Sequence, residues 1–426
     1  MKEIASFWGA AVQFLADLWV SNGELITLGA IGSLITILNY LYPESGIKLR
    51  YYLNFFFHKE KVKYFVGIDM GRSRFDLILM EYNIRDKTQK TINEKSYDNQ
   101  NSYIDYNKSF YKTIINEIRT LLEEARKDSK IKLENISGVG FSVPGIVSPS
   151  NGKILKSIGF SKTVFHFVDG FRQELEKVYD KSRADKFKIY IDNDAFCLAR
   201  FIQFTQLKND KSDSFICCDI GNNFGAAFSI DGKIHYGDNH MAGEAGHMVI
   251  SADELDSCKC TVGSGHVDQY ISSDGLLKKI KDVYPEHPIL EEKNKNAIYS
   301  MFRNKIVDGD EKLESILDDL TKELAITISN LVNLLDIGLV YCGGSMMREL
   351  YYNGKLKNKF AKLHQCIEDM TFIDNSKFSL CKIEDLHTRA IDGTELASTA
   401  TSIATGAALL FIDENYLRTY DPEVKK

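Results

Sequence analysis

The sequence has no long basic run, no internal repeat and no cysteine pattern typical of a disulfide framework. Its 53 lysine and arginine residues are outnumbered by 59 acidic residues, which gives a formal net charge of −6. This balance argues against a nucleic-acid partner, because such binding depends mainly on positive charge. Most of the eight cysteines lie in apolar segments such as SFICCDI, where a reduced, buried thiol is the ordinary state. The part of the chain beyond residue 60 is therefore expected in a reducing compartment, the cytoplasm.

The first 60 residues differ in composition from the rest. Residues 25–42, LITLGAIGSLITILNYLY, contain no charge, and a helix of that length spans roughly 27 Å, near the hydrocarbon thickness of a bilayer. An amphipathic helical pattern precedes it at residues 4–19, and basic residues follow it. No cleavable signal peptide is indicated. The pattern predicts attachment to the inner membrane with the large domain in the cytoplasm; the alternative is an N-terminal hairpin buried in an oligomer interface.

Beyond residue 60, apolar runs typical of strands alternate with runs of helical spacing. KYFVGIDMG (63–71) and KIYIDND (188–194) indicate strands, whereas residues 107–129 indicate a helix. The polar residues 84–103 are predicted to form a long hairpin loop. This alternation predicts the α/β class, arranged as two lobes.

Three glycine-containing turns each follow an apolar strand: DMGRSR (69–74), DIGNNFG (219–225) and CGGSMM (342–347). Successive backbone N–H groups in such turns can bind anions, and an aspartate before the turn can orient a phosphoryl group through a metal ion. Each turn alone is also compatible with a purely structural role. Their order and wide separation are what favour a nucleotide site.

Together with three further motifs, these turns resemble the ROK family (repressors, uncharacterised frames and sugar kinases). The motifs are GFSVPGIVS, Asn193-Asp194-Ala195 and the complete AGEAGH at 242–247. The resemblance covers about residues 62–412. It implies a two-lobed actin/hexokinase-like (ribonuclease H-like) fold and a homo-oligomer, a dimer or higher.

The lobes, at 61–198 and 199–426, would close over Mg-ATP and a sugar, and the apolar helical segment at 1–60 would be an addition to that fold. The resemblance assigns the nucleotide to Asp69, Gly71, Ser73, Arg74, Gly221, Asn222, Gly225, Gly343 and Gly344. Two turns depart from the family pattern, with Arg72, Asn222 and Asn223 at positions where glycine or bare backbone is usual. The departures leave open whether ATP is turned over.

A metal site is indicated by GEAGHMVISADELDSCKCTVGSGHVDQY, residues 243–270. The family binds a structural zinc with the histidine of this motif and three cysteines. Here His247, Cys258 and Cys260 are present, and His266 stands near the place of the third cysteine. Two thiolates and two imidazoles suit tetrahedral zinc as well as three thiolates and one imidazole do. The alternative is a surface loop with two unpaired thiols.

The resemblance implies that Asp194 is the catalytic base and that Asn193, Glu244, His247 and Asp268 hold the sugar ring. The family normally has glutamate where Asp268 stands. Two functions remain open: a membrane-attached kinase that phosphorylates a hexose or N-acylhexosamine, and a sugar- or nucleotide-sensing protein that signals through its N-terminal helices without turnover. No helix-turn-helix pattern supports a repressor.

Overall fold

The computed structural model describes residues 62–71, 74–84, 88–98, 108–125, 131, 135–156, 164–178, 181–206, 214–252, 258, 260, 263–356, 358–383, 399–413 and 417. The predicted amphipathic and membrane helices within residues 1–60 lie outside these ranges. Among the described helices, none has both the length and the apolar character needed to cross a bilayer. Nearly all described residues belong to one compact unit, Lys63–Tyr82 and Thr88–Lys426.

Two five-stranded sheets organise this unit. The strands are β1 (Val62–Met70), β2 (Arg74–Asn83), β3 (Thr88–Asp98), β4 (Ile136–Val143), β5 (Ile146–Ser148), β6 (Lys153–Lys156), β7 (Lys188–Asn193), β8 (Phe215–Ile220), β9 (Phe224–Ile230), β10 (Lys233–Ile234), β11 (Leu339–Gly343) and β12 (Ser379–Lys382). The first sheet has the order β3-β2-β1-β4-β7 and the second β10-β9-β8-β11-β12, while β5 and β6 pair in a separate two-stranded sheet. In chain order the two sheets repeat one topology, and β1, β4 and β7 run parallel, as do β8, β11 and β12.

Helices cover both faces of each sheet. The helices are α1 (Lys108–Ala125), α2 (Phe167–Glu176), α3 (Lys181–Lys186), α4 (Asp194–Gln206), α5 (Ser273–Val283), α6 (Lys295–Val307), α7 (Glu311–Leu335), α8 (Lys359–Met370) and α9 (Thr399–Ala408), with a short turn of helix at Ser345–Met347 and a π-helix at Arg348–Tyr352. Burial on both faces explains why β1 and β8 have continuous apolar sequences. In β8, Ile216 and Cys218 face the core formed with α5–α8, whereas Phe215 and Cys217 face α4.

The small-residue helix α9 packs directly on the first sheet. A Cβ on Gly67 of β1 or Gly140 of β4 would overlap the backbone of Ala404 or Ala407, and a Cβ on Gly406 would overlap the carbonyl of Cys197 in α4. Glycine is therefore required at one side of each of these three contacts. They bring α9 against α4, and α4 begins with Asp194.

Over the residues that the structure describes, the strands predicted at 63–71 and 188–194 and the helix predicted at 107–129 are confirmed, with one correction elsewhere. The hairpin loop predicted at 84–103 is wrong over residues 88–98, which form β3 at the edge of the first sheet. An edge strand has a solvated side, so its polar residues fit a strand as well as a loop. Periodicity could not separate the two.

Candidate active site

Carboxylates lie at the carboxyl ends of parallel strands in both sheets. Asp69 ends the apolar part of β1 and pairs in register with Ser142 of β4, which pairs in turn with Asp192 of β7. The Ser142 hydroxyl donates a hydrogen bond to Asp69 Oδ1 at 2.8 Å. In the second sheet Asp219 of β8 pairs with Gly343 of β11. Ligands of α/β proteins bind at such strand ends.

Asp194 is a partly buried carboxylate at the start of α4. Its Oδ1 accepts a hydrogen bond from the backbone N–H of Ala195 at 2.9 Å. Burial, with a further contribution from the negative charge of Asp219, raises the pKa of Asp194 to about 7. A carboxylate that exchanges its proton near neutral pH is suited to act as a general base.

The strand-end carboxylates Asp219 and Asp69 also have raised pKa values. Burial raises the pKa of Asp219 to about 6, although the charge of Arg348 opposes the shift. Burial, followed by the charges of Asp194, Asp76 and Asp219, raises the pKa of Asp69 well above its ordinary value. These carboxylates repel one another, so a cation between them would be stabilised. Perturbed carboxylates of this kind concentrate at functional sites.

The predicted nucleotide residues fall at these strand ends where the structure describes them. Gly221, Asn222 and Gly225 lie in or next to the turn between β8 and β9, and Gly344 follows β11 with φ of 98°. A Cβ on Gly344 would overlap Asp219 Oδ1, so glycine is needed there for the close approach of β8. Gly71 follows β1 and Arg74 begins β2, while Ser73 lies outside the described residues.

The four predicted metal ligands converge. One donor atom from each of His247, Cys258, Cys260 and His266 lies within 4.8 Å of the others. Cys260 Sγ is 3.5 Å from His266 Nδ1. His247 Nδ1 is buried and has no hydrogen-bond partner, whereas its Nε2 lies 3.6 Å from Glu244 Oε2. With Nε2 near a carboxylate, the buried and unpartnered Nδ1 is the nitrogen of His247 that is left to ligate a metal.

The predicted sugar-binding residues separate into two groups. Glu244 directly precedes the short 3₁₀ helix Ala245–His247, which ends at His247, and the charge of Glu244 contributes to the raised pKa of Asp194. Asn193, in contrast, donates from Nδ2 to Gly145 O at 2.8 Å and accepts from Ala195 N at 2.8 Å. Asp268 Oδ1 accepts from Phe224 N at 2.7 Å. The side chains of Asn193 and Asp268 thus bond to the backbone of neighbouring loops.

Sequence reasoning missed three contributors to the site. Asp219 occupies the place in β8 that Asp69 occupies in β1, and the shared Asp-x-Gly pattern could have identified it. Arg348, in the π-helix, acts on Asp219 by its charge. Tyr299 is fully buried and donates to Gly221 O at 2.7 Å. Neither Arg348 nor Tyr299 lies in a motif, so no local signal marks them.

The model of the ROK family matches residues 65–377. The chain belongs to the ROK family. An N-acetyl-D-glucosamine kinase from Aliivibrio salmonicida is 28% identical over 246 residues, which are 55% of this chain and 73% of the relative. A putative xylose repressor from Caldicellulosiruptor sp. is 26% identical over 292 residues, 67% of each chain.

Among solved structures, a ROK glucokinase from Streptomyces griseus in complex with glucose and AMPPNP matches with a TM-score of 0.54 at 15% identity. It covers 82% of this chain and 98% of the glucokinase. This likeness confirms the predicted α/β fold of ROK proteins, which the two sheets form here. The division into lobes at 61–198 and 199–426 and the oligomeric state stay predictions.

Proposed function

We propose that this ROK protein is an ATP-dependent sugar kinase that phosphorylates a hydroxyl of a hexose or N-acylhexosamine. The main support is Asp194, a partly buried carboxylate at the start of α4 whose pKa lies at about 7. Burial is the main cause of that raised pKa, and Asp219 and Glu244 lie close enough for their charges to raise it further, so three acidic groups lie near one another. The sugar kinases among its relatives support the same reaction class.

In the proposed reaction Asp194 accepts the proton of the attacking sugar hydroxyl. The sugar oxygen bonds to the γ-phosphorus of ATP, and the bond from that phosphorus to the β–γ bridging oxygen breaks to release ADP. Phosphoryl transfer depends chiefly on positioning and charge neutralisation. Asp194 supplies the proton acceptor, and the strand-end turns supply backbone N–H groups for the phosphates.

Asp69 and Asp219 are suited to hold Mg²⁺, which would neutralise phosphate charge. Both groups provide the oxygen donors that this cation prefers. Burial is the main cause of the raised pKa of Asp69, and the repulsion from neighbouring carboxylates that adds to it would fall with a cation present. On the sugar side, Glu244 and His247 are the proposed contacts to the ring hydroxyls. The backbone hydrogen bonds of Asn193 and Asp268 favour a supporting position for these two residues.

The proposal predicts that purified full-length protein releases ADP from Mg-ATP in a sugar-dependent manner. The measurement is a coupled ADP assay over a panel that includes N-acetyl-D-glucosamine, glucose and mannose. An enzyme of this kind is expected to turn over at about 1–100 s⁻¹ with its preferred sugar. If nucleotide binds but no sugar stimulates ADP release, the sensing function replaces the kinase.

We also propose that the cluster of His247, Cys258, Cys260 and His266 holds a structural zinc. The Nδ1 atom of His247 is buried without a hydrogen-bond partner, and the thiols of Cys258 and Cys260 are buried. Together with His266 they supply the four nitrogen and sulfur ligands that structural zinc takes. Burial lowers the pKa of His266, and the neutral imidazole is the form that binds metal. With zinc bound, the segment that bears Glu244 would be fixed in place.

Elemental analysis of protein purified without added metal is expected to show about one zinc per chain. Cys258→Ser should lose most of this metal and lower the melting temperature, because metal binding contributes folding free energy. Cys366→Ser is the matched control, since Cys366 is a partly buried thiol of α8 outside the cluster. Folded wild-type protein with almost no zinc would contradict the assignment.

Residues 1–60 are proposed to attach the protein to the inner membrane, with residues 61–426 in the cytoplasm. The support is the uncharged run 25–42 and the basic residues after it. Full-length protein is expected in the membrane fraction and a 61–426 truncation in the supernatant. Full-length protein that stays in solution without detergent would favour the buried hairpin, and light scattering would then test the proposed homo-oligomer.

A further inference from the structure

The turn between β8 and β9 is fastened to the metal-cluster segment by Asp268. Asp268 Oδ1 accepts a hydrogen bond of 2.7 Å from the backbone N–H of Phe224, the first residue of β9. Phe224 closes the turn that contains Gly221 and Asn222. The N–H of Phe224 donates to the Asp268 carboxylate, and this hydrogen bond holds one end of the turn.

The other end of the same turn is fastened by a second buried side chain. The hydroxyl of Tyr299, in α6, donates to Gly221 O at 2.7 Å, and within the turn Gly221 N donates to Asn223 O at 3.0 Å. Tyr299 is fully buried. Asp268 and Tyr299 therefore fix the two ends of the turn from outside it.

Asp268 is itself held in place by the segment that carries the metal ligands. It lies two residues after His266, and its carbonyl accepts from the Ser272 hydroxyl at 2.6 Å. Val267 N donates to Met248 O at 2.9 Å, which joins this segment to the residue after His247. Because the backbone is held both before and after Asp268, its carboxylate has little freedom to reorient.

The carboxylate also fits closely against Gly246. A Cβ on Gly246 would lie 2.7 Å from Asp268 Oδ1 and 2.7 Å from Phe224 O. The three residues therefore pack together without room for another heavy atom. A glutamate at position 268 would carry its carboxylate one methylene farther and could not keep this hydrogen bond without moving the backbone.

We propose that Asp268 is a positioning residue that fixes the turn Gly221–Phe224 for nucleotide and thereby links the Cys/His cluster to the nucleotide site. This inference rests on the proposed function, because it takes that turn to be the one that binds phosphate. It differs from a sugar-binding role for Asp268. If Asp268 fixes the turn, its removal should weaken nucleotide binding. If Asp268 binds the sugar, its removal should instead weaken sugar binding.

The test uses full-length protein and measures by calorimetry the Kd of Mg-AMPPNP, and separately that of the sugar that stimulates ADP release. Asp268→Ala removes a hydrogen bond to a charged acceptor, and such a loss corresponds to an about 10–100-fold weaker nucleotide Kd. The sugar Kd should change less than about threefold. Asp268→Asn keeps an acceptor oxygen at the same distance and should restore most nucleotide affinity, whereas Asp268→Glu should not.

The control is Asp282→Ala, which removes an exposed carboxylate of α5 and should leave both affinities unchanged. An Asp268→Ala variant that binds nucleotide normally but loses sugar affinity would overturn the inference and leave the kinase proposal standing. Wild-type protein that binds no nucleotide would overturn both. If the Ala variant does not fold, the contrast between Asn and Glu decides: equal nucleotide affinities in these two variants would overturn the inference.

Discussion

Asp194→Asn is expected to lower sugar-dependent ADP release by about 10²–10⁴-fold, the usual contribution of a general base. The substitution keeps the size of the side chain and an oxygen that can accept from Ala195 N, the hydrogen bond that holds Oδ1 at 2.9 Å. It removes the ability to take up the hydroxyl proton. The loss should therefore appear in kcat and leave sugar binding nearly unchanged.

The expected pH dependence follows from the raised pKa of Asp194. Only the ionised form can act as base, so the wild-type rate should rise with pH through the pKa of about 7. A single group of that pKa gives a rise of about tenfold between pH 6 and pH 8. Because Asp219 titrates near it, at about 6, the measured values belong to the coupled carboxylates as a set.

Asp185→Asn provides the matched control, since Asp185 is an exposed aspartate of α3. It should release ADP at the wild-type rate. An Asp194→Asn variant that retains activity within about threefold would show that another group accepts the proton, because a base contributes far more than that. A residual rate that no longer rises with pH would support the assignment independently of its size.

Much of the site could be predicted from sequence because its residues lie in local motifs. Asp194 follows a strand with its neighbour Asn193, and the metal donors lie within residues 247–266, so short spacing already indicates shared chemistry. The structure brings the four donor atoms together as the spacing predicted. For the metal donors, the local motif therefore identifies the same residues that the fold brings together.

What the motifs could not predict is how each side chain is used. The resemblance implies a sugar contact for Asp268 and gives no sign that its Oδ1 accepts from Phe224 N, 44 residues earlier in the chain. Tyr299 reaches Gly221 from 78 residues away. Such contacts depend on how helices lie on a sheet, and hydrophobic periodicity identifies a helix without fixing its neighbours.

A buried ionic network around Arg200 is a second case of long-range contacts that the sequence does not predict. Arg200 is fully buried in α4, and its Nε donates to Asp413 Oδ2 at 2.8 Å while Nη2 donates to Asp192 Oδ2 at 3.0 Å. The Tyr236 hydroxyl bonds to both Arg200 and Asp192. The network joins the end of β7, α4 and the residues after α9. In sequence Arg200 is one charge in an apolar run, and its partners are not evident.

Arg200→Met is expected to lower the free energy of unfolding by about 3–5 kcal/mol, because removal of one partner leaves buried charge uncompensated. Methionine fills a similar volume, so the loss would come mainly from charge. Burial already raises the pKa of Asp192, and the charge of Arg200 opposes that shift. Without the guanidinium, Asp192 should take up a proton more readily. The measurement is the midpoint of urea unfolding, monitored by far-ultraviolet circular dichroism.

Two further variants separate the loss of charge pairing from the loss of packing. Arg200→Met combined with Asp192→Asn and Asp413→Asn removes the buried carboxylates as well, and should recover part of the stability lost in Arg200→Met. Lys322→Ala breaks an exposed ion pair with Asp319 and should change stability by less than about 1 kcal/mol. If Arg200→Met unfolds at the wild-type urea concentration, the network does not stabilise the fold. If the triple variant is no more stable than Arg200→Met, the loss arises from packing, and the charges of Asp192 and Asp413 do not cause it.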